Sequence, residues 1–232
     1  MQKRFWYLML LVAFVVTALY LYRAARPASA RSAELWAWVR DPSANPRLAI
    51  QAGSRCGAAP FLFPTTGVPG YLWDDSFRIG SRHQGIDIFA GTDVNVTDIV
   101  AVSYGLLTRL PDWKSSVILR IPSDPLEPGR QIWVYYTHMA DAQGNSFISV
   151  EFPPGTYDRP VEAGAFLGRQ GDYSGDPNNP VGVHLHISIV KDNGGNFMNE
   201  LDINNTYDPS PYFGLPLNAR TNTDRLPSCE AQ

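Results

Sequence analysis

Val183-His-Leu-His-Ile-Ser-Ile189 is a run in which apolar and polar side chains alternate. Successive side chains of a β-strand point to opposite faces, so this alternation predicts a half-buried strand. The four apolar residues are expected on the core face, and His184, His186 and Ser188 on the other. The run therefore predicts two imidazoles that point into one cleft.

Short β-like runs, separated by glycine, proline and other turn residues, continue on the N-terminal side as far as Cys56. Long amphipathic helices are absent from the pattern. We therefore predict a mainly β fold, an antiparallel sheet or sandwich with long loops over a cleft. The other predicted strands are Ile86–Phe89, Asp98–Ser103, Tyr104–Leu110, Ser116–Ile121 and Gln131–His138.

The chain has four histidines, and all of them lie in short motifs within or near the predicted strands. His83 begins His-Gln-Gly-Ile-Asp87, where a spacing of four aligns an imidazole and a carboxylate on one face of a strand. His138 follows Tyr136 in an aromatic strand. Two imidazoles and one carboxylate suit a divalent metal such as zinc, with a fourth position left for water. The remaining two imidazoles can move protons, so the motifs predict a zinc hydrolase.

Composition restricts the class of protein. With 232 residues, 44% of them hydrophobic and 12% aromatic, the chain can bury one good core, which favours one catalytic domain with a short appendage. The net charge is -3, and lysine and arginine are scattered along the chain. Nucleic acid is therefore not an expected partner.

The N-terminus carries a membrane-like segment. Lys3 and Arg4 precede an apolar run from Phe5 to Tyr22. At about 1.5 Å per residue, this run covers most of a roughly 30 Å hydrocarbon layer. We predict a single-pass membrane anchor in residues 1–25, with the bulk of the chain outside the cytoplasm. A cleaved signal segment followed by secretion is the alternative, because Ala28-Ser-Ala30 fits a cleavage site.

Residues 26–55 have the composition of a linker, rich in alanine, arginine, proline and serine. Within it, Glu34–Arg40 fits a short helix that packs its tryptophans, and Trp36 or Trp38 would then lie near the cleft. Cys56 and Cys229 are the two cysteines. A bridge between them would tie both ends of the domain together in an oxidising compartment, whereas two unrelated thiols are the alternative.

Several separated motifs follow one another from about Pro64 to about Tyr212. In this order they resemble the M23 peptidases, also called the lysostaphin or LytM-type family. Agreement across several separated motifs is more specific than any one motif. The motifs are His83-Gln-Gly-Ile-Asp87-Ile, Tyr136-Thr-His138-Met, the turn at Val161–Gly168, Gly171–Gly175, His184-Leu-His186 and Asp208-Pro209.

The resemblance implies a role for each matching residue. His83, Asp87 and His186 would bind one zinc ion per chain, and His138 and His184 would be the two unligated catalytic histidines. The family consists of zinc endopeptidases, on a mainly antiparallel β fold, that cut cross-bridges or stem-peptide cross-links of bacterial peptidoglycan. Residues 56–232 would form this metallopeptidase domain, with a peptidoglycan peptide as its substrate.

Two other functions are compatible with the resemblance. Some relatives have lost metal ligands and act as binding or activator modules for other wall hydrolases, whereas this chain keeps all five residues. A zinc carboxypeptidase that releases D-alanine would use similar ligands.

The motifs do not determine the substrate, because two loops that are longer than usual in the family, 141–160 and 172–180, are expected to border the cleft. Aromatic residues near the motifs are candidate walls of a peptide groove, although they would equally cover the core. They are Tyr71, Trp73, Phe77 and Tyr173.

Overall fold

The computed structural model describes residues 6, 7, 9, 11–17, 30–76 and 81–229. Most of the predicted anchor, and Ala28-Ser29 of the possible cleavage site, lie outside these residues. Of the anchor, residues 6, 7, 9 and 11–17 are described and are helical. Among all described residues, no helix is both long and apolar enough to cross a membrane. The anchor stays a prediction.

The described part of the chain is mainly β, with few helices. Beyond residue 29, the helices are α1 (Ala30–Arg40), α2 (Ser210–Phe213) and the short 3-10 turns Pro42–Ala44, Pro46–Leu48 and Ile203–Asn205. The strands are β1 (Val68–Tyr71), β2 (Ile86–Phe89), β3 (Asp98–Val100), β4 (Gly105–Arg109), β5 (Val117–Ile121), β6 (Ile132–Thr137), β7 (Thr156–Val161), β8 (Phe166–Arg169), β9 (Leu185–Asn193), β10 (Asn196–Phe197) and β11 (Thr206–Tyr207).

One antiparallel sheet dominates the described residues, in the order β1-β2-β9-β6-β5-β4-β7. The long strand β9 lies between β2 and β6 and also pairs with β10 and β11 at its far end. A second, two-stranded sheet joins β3 to β8. The predicted mainly antiparallel β architecture is therefore confirmed, and each of the six predicted strands is present in whole or in part.

Three strands of four or more residues, β1, β7 and β8, are absent from the prediction. β7 is an edge strand with four successive exposed residues, and Pro160 in it suits an edge, because proline cannot donate to the ladder. Its sequence therefore lacks the alternation that marks a half-buried strand. β8 begins inside the Val161–Gly168 segment, which the family resemblance treats as a turn, and ends one residue beyond it.

The face prediction for β9 holds for most of its residues. Leu185, Ile187 and Ile189 are buried in the main hydrophobic core. The prediction for Val183 was wrong, because the ladder begins at Leu185 and Val183 lies half-buried in the preceding loop, next to the exposed Gly182.

Helix α1 packs onto the sheet. Leu35 and Trp38 are buried with Val68 and Phe89 in a second apolar cluster. The approach to β1 is close, since a Cβ placed on Gly70 would lie 2.3 Å from a methyl carbon of Leu35. The helix expected within the predicted linker is thus present and buries one of its tryptophans. The domain boundary near residue 55 stays a prediction.

The predicted bridge between the two cysteines is also confirmed. Cys56 and Cys229 are disulfide-bonded, with 5.3 Å between their Cα atoms and 173 residues between them in sequence. A cross-link over so long a loop removes much conformational entropy from the unfolded chain.

We predict that replacing both cysteines with serine lowers the free energy of unfolding by about 2–5 kcal/mol, because the unfolded chain regains that entropy. Urea unfolding of the oxidised wild type and the double variant measures the difference. Wild type in excess reductant should match the variant, and an unchanged urea midpoint would contradict the prediction.

Candidate metal centre

The pairing of β2 with β9 brings two candidate ligands together. Asp87 and His186 are direct cross-strand partners in the antiparallel register. Such partners carry their side chains on the same face, a few ångströms apart. Asp87 Oδ1 accordingly lies 2.8 Å from His186 Nδ1.

The third candidate ligand, His83, lies in the loop before β2. The expectation that a strand aligns it with Asp87 was therefore wrong, although the two side chains do meet. The His83 backbone N–H donates to the Asp75 carbonyl (2.8 Å), and its Nδ1 bonds the Leu72 carbonyl (2.9 Å). These bonds direct His83 Nε2 to within 3.1 Å of Asp87 Oδ1 and 3.0 Å of His186 Nδ1.

Gly85 allows this loop to reach the site. A Cβ at this position would lie 2.2 Å from the Ile187 carbonyl oxygen and 2.5 Å from Ser188 Oγ, so any side chain would push the loop away from β9. The glycine of the His-Gln-Gly-Ile-Asp motif is thus required by close approach of two backbones.

Hydrogen bonds hold both candidate ligand imidazoles in place. His83 Nδ1–H donates to the Leu72 carbonyl, and His186 Nε2 bonds Ser188 Oγ at 2.9 Å. The other nitrogen of each ring, Nε2 of His83 and Nδ1 of His186, therefore faces Asp87. Second partners of this kind orient histidine ligands in metal sites.

The three donor atoms fit a metal ion such as zinc. They lie 2.8–3.1 Å from one another. Ligands at zinc-like bond lengths of about 2.0–2.1 Å in a tetrahedron lie about 3.3 Å apart, so only small shifts are needed. Two imidazole nitrogens and one carboxylate oxygen are also a donor set that catalytic zinc sites use. Among the described residues, His83, Asp87 and His186 are the group that could hold a metal ion.

The charge state of this group suits a cation. Burial favours a higher pKa for Asp87, but the imidazoles of His83 and His184 outweigh it and hold the pKa well below its ordinary value. Burial lowers the pKa of His186, which Asp87 only partly opposes. Burial also acts to lower the pKa of His83, yet attraction to Asp87 raises it overall, so metal binding there would release a proton.

His138 and His184 lie beside the candidate ligands, with 4.6 Å between their ring centroids. His138 Nδ1 bonds the Tyr173 carbonyl at 2.7 Å, and His184 Nδ1 bonds the Gly182 carbonyl at 2.5 Å. Each ring therefore keeps Nε2 as its lone-pair nitrogen. For His184, this nitrogen lies 3.6 Å from Asp87 Oδ1. The structure thus gathers all five residues predicted from the sequence into one site.

His138 is held neutral and in an uncommon backbone conformation. Burial, together with the neighbouring His184 and His186, lowers the pKa of His138 to about 3. Its φ of 72° lies in the left-handed region, which is uncommon for residues other than glycine. Such strain persists only where the surrounding structure imposes it, often at functional sites. Here Gly171 packs against the His138 carbonyl, where a Cβ would lie 2.6 Å from the oxygen.

The site opens into a cavity of about 640 Å³. Tyr71 and Tyr173 line it, as the sequence predicts. Trp73 is not among the lining residues and donates instead to Thr206 Oγ1 at 2.9 Å, and Phe77 lies outside the described residues. The 172–180 loop borders the cavity through Tyr173, Ser174 and Gly175. No lining residue belongs to 141–160, so that loop expectation was wrong for the described cavity.

Residues from distant parts of the chain also shape the cavity. Trp36 of α1 lines it, donates its indole N–H to the Tyr71 hydroxyl (3.3 Å) and packs edge-on against Phe89 (5.6 Å). Phe89 in turn stacks on His184, at a centroid distance of 5.0 Å. Glu200 lines the cavity too, and burial raises the pKa of its carboxyl. Lysine and arginine are absent from the described residues of the lining.

Sequence reasoning missed the bond of Ser188 to His186 and the place of Glu200 in the cavity lining. The alternation of β9 does place Ser188 on the same face as His186, two residues away, and this was an available signal. Glu200 follows the β10 turn and carries no local pattern, so nothing in the sequence marks it.

Comparisons with other proteins add a distant structural likeness. No protein-family model and no curated protein matches the sequence. Solved structures that resemble the chain include a crystal structure of a protein assigned as a glycyl-glycine endopeptidase, LytM, from Ruminococcus gnavus. The match has 22% identity and a TM-score of 0.40, and it covers 67% of this chain and 59% of that one. The M23 resemblance therefore stays an expectation from the motifs.

We predict that His83→Ala removes stoichiometric zinc from the purified chain, because two protein donors remain. His184→Ala should retain zinc, since its imidazole is not one of the three donors. Elemental analysis after gel filtration measures both, with wild type as the reference. Full zinc content in the His83 variant would contradict the donor assignment.

Ser188→Ala is predicted to weaken zinc binding by at least about tenfold, because His186 loses the partner that fixes its ring. Competition with a chromophoric chelator measures the affinity. Ser149→Ala, which removes a hydroxyl away from the site, serves as the control. Equal affinities for the two variants would show that Ser188 does not orient the ring.

Proposed function

We propose that this chain is a zinc-dependent endopeptidase that hydrolyses peptide bonds in peptidoglycan cross-links or cross-bridges. One observation carries the proposal: three preset donors, His83, Asp87 and His186, lie beside two further imidazoles in one cavity. The metal identity and the wall peptide come from the motif resemblance, with which this arrangement agrees.

A bound zinc ion would supply Lewis-acid polarisation of the scissile carbonyl and a lowered pKa for water at the site. The chain's own residues would handle the protons. Amide hydrolysis needs one group to take a proton from the attacking water and one to deliver a proton to the departing amine. The imidazoles of His138 and His184, each with Nδ1 bonded to a backbone carbonyl, would provide these two positions through Nε2.

A serine nucleophile receives less support from the cleft. Ser115 and Ser116 both line the cavity. Ser116 Oγ bonds Thr137 Oγ1 (2.7 Å) and the Tyr135 hydroxyl (3.1 Å), and Ser115 Oγ lies 3.5 Å from the same threonine oxygen. Neither hydroxyl hydrogen-bonds an imidazole among the described residues, so no base is placed to activate it.

The charge of the cavity favours an endopeptidase over a carboxypeptidase. A carboxypeptidase must bind the free C-terminal carboxylate, for which arginine or lysine is the usual partner. The described lining has neither residue and contributes the Glu200 carboxyl instead. A peptide that continues through the cleft presents no such terminal charge.

An activator module without catalysis is the remaining alternative. The preset tautomers and the strained His138 support catalysis, because a pure binding surface does not require five convergent proton and metal donors. Association with the membrane, through residues 1–25, is part of the proposal, with secretion as its alternative. The disulfide supports a location outside the cytoplasm.

The test uses the full-length chain, purified in detergent, on isolated peptidoglycan. We expect about one zinc per chain and peptide cleavage that a chelator abolishes and zinc restores, with product masses showing cuts inside the peptide. His184→Ala should keep zinc and lose turnover, because one proton position is missing. Release of single D-alanine residues would favour the carboxypeptidase, and zinc without cleavage the activator.

A further inference from the structure

A buried arginine of helix α1 has no role in the site described above. Arg31 is 3% exposed, and a charge buried to that degree requires partners. It forms an ion pair with Asp75 and donates Nη1 to the Asn222 carbonyl at 2.5 Å. Arg31 therefore joins α1 to two loops that are distant in sequence.

Asp75, the partner of Arg31, also closes a tight turn of the chain. Its second carboxylate oxygen, Oδ2, accepts the Leu72 backbone N–H at 2.6 Å. Its own backbone N–H donates to the Leu72 carbonyl at 3.1 Å. The turn from Leu72 to Asp75 is thus closed once through the backbone and once through the carboxylate that Arg31 holds.

The same turn fixes His83. The Leu72 carbonyl accepts from the imidazole Nδ1 (2.9 Å), and the Asp75 carbonyl accepts from the His83 backbone N–H (2.8 Å). The Asp74 N–H in turn donates to the His83 carbonyl at 2.8 Å. These bonds tie both the imidazole and the backbone of His83 to the turn.

We infer that Arg31 and Asp75 are positioning residues for the metal ligand His83, and that α1 is in this way part of the metal site. The inference rests on the proposed zinc function. Loss of Arg31 would leave the Asp75 carboxylate, 15% exposed, without its buried counter-charge. The carboxylate would then turn toward water and release the Leu72 amide, and His83 Nε2 would move away from the other two donors.

The expected loss of zinc affinity depends on how many contacts separate Arg31 from His83. Removing a direct partner of a metal-bound histidine weakens metal binding by about 10–100-fold. Arg31 acts through Asp75 and the turn, so we expect the lower end of that range, about tenfold.

The experiment compares full-length Arg31→Gln, Asp75→Asn and the double variant with wild type. Zinc affinity is measured by chelator competition, and the absorption spectrum of the cobalt(II)-substituted chain reports ligand geometry. Both single variants should bind zinc about tenfold more weakly, with an altered cobalt spectrum. The double variant should be no weaker than the weaker single one, because both changes break the same contact.

Arg130→Gln is the matched control for a general loss of stability. Arg130 pairs with Asp124, whose side chain is fully buried, beyond the end of β6 that is remote from His138. This variant should lose unfolding free energy but keep wild-type zinc affinity and cobalt spectrum. Arg31→Lys, which keeps the charge, should recover part of the affinity and replaces the glutamine variant in the test if that variant does not fold.

Wild-type zinc affinity and cobalt spectrum in Arg31→Gln or Asp75→Asn would overturn the inference while leaving the proposed function intact. An equal loss of zinc affinity in Arg130→Gln would also overturn it, because the effect would then follow stability alone. A wild-type chain that binds no zinc would overturn the proposed function itself.

Discussion

The antiparallel register between β2 and β9 is the constraint on which the candidate site depends. It sets Asp87 opposite His186, and the same register continues to bury Ile86, Ile88 and Leu185 beneath the sheet. A slip by one residue would exchange the faces of the strand, sending the carboxylate into the core and isoleucine into the cleft. Hydrophobic burial therefore enforces the position of the candidate ligands, although none of them is hydrophobic.

Local patterns in the sequence were sufficient for the parts of the fold that have a clear period. The alternation in β9 predicted which of its residues face the core and that two imidazoles converge on the other face. The reason is that every second side chain of a half-buried strand points to the core. The same reasoning failed for Val183, which lies outside the ladder, and for His83, whose loop follows tertiary contacts. β7 was not predicted, because an exposed edge strand has no buried face and its sequence therefore lacks the alternation of apolar and polar residues.

Long-range contacts account for what the sequence could not show. Arg31 and Asp75 lie 44 positions apart, and Ser188 supports a site whose other members begin at His83. No spacing rule connects such residues, since their proximity results from the packing of α1 on β1 and of the His83 loop on β9. The choice of glycine at position 85 has the same origin, because the clash it avoids is with another strand.

The bond between Cys56 and Cys229 turns the β domain into a covalent ring, since it joins residues 173 positions apart. A protease that cuts one loop inside this ring, for example at an exposed tip such as Val150, produces two chain segments that stay attached through the sulfur atoms. A nicked molecule would migrate as an intact chain on a denaturing gel until reductant is added. In a protease-rich environment, the ring would thus let the domain survive a single cut without losing either half of its candidate metal ligands.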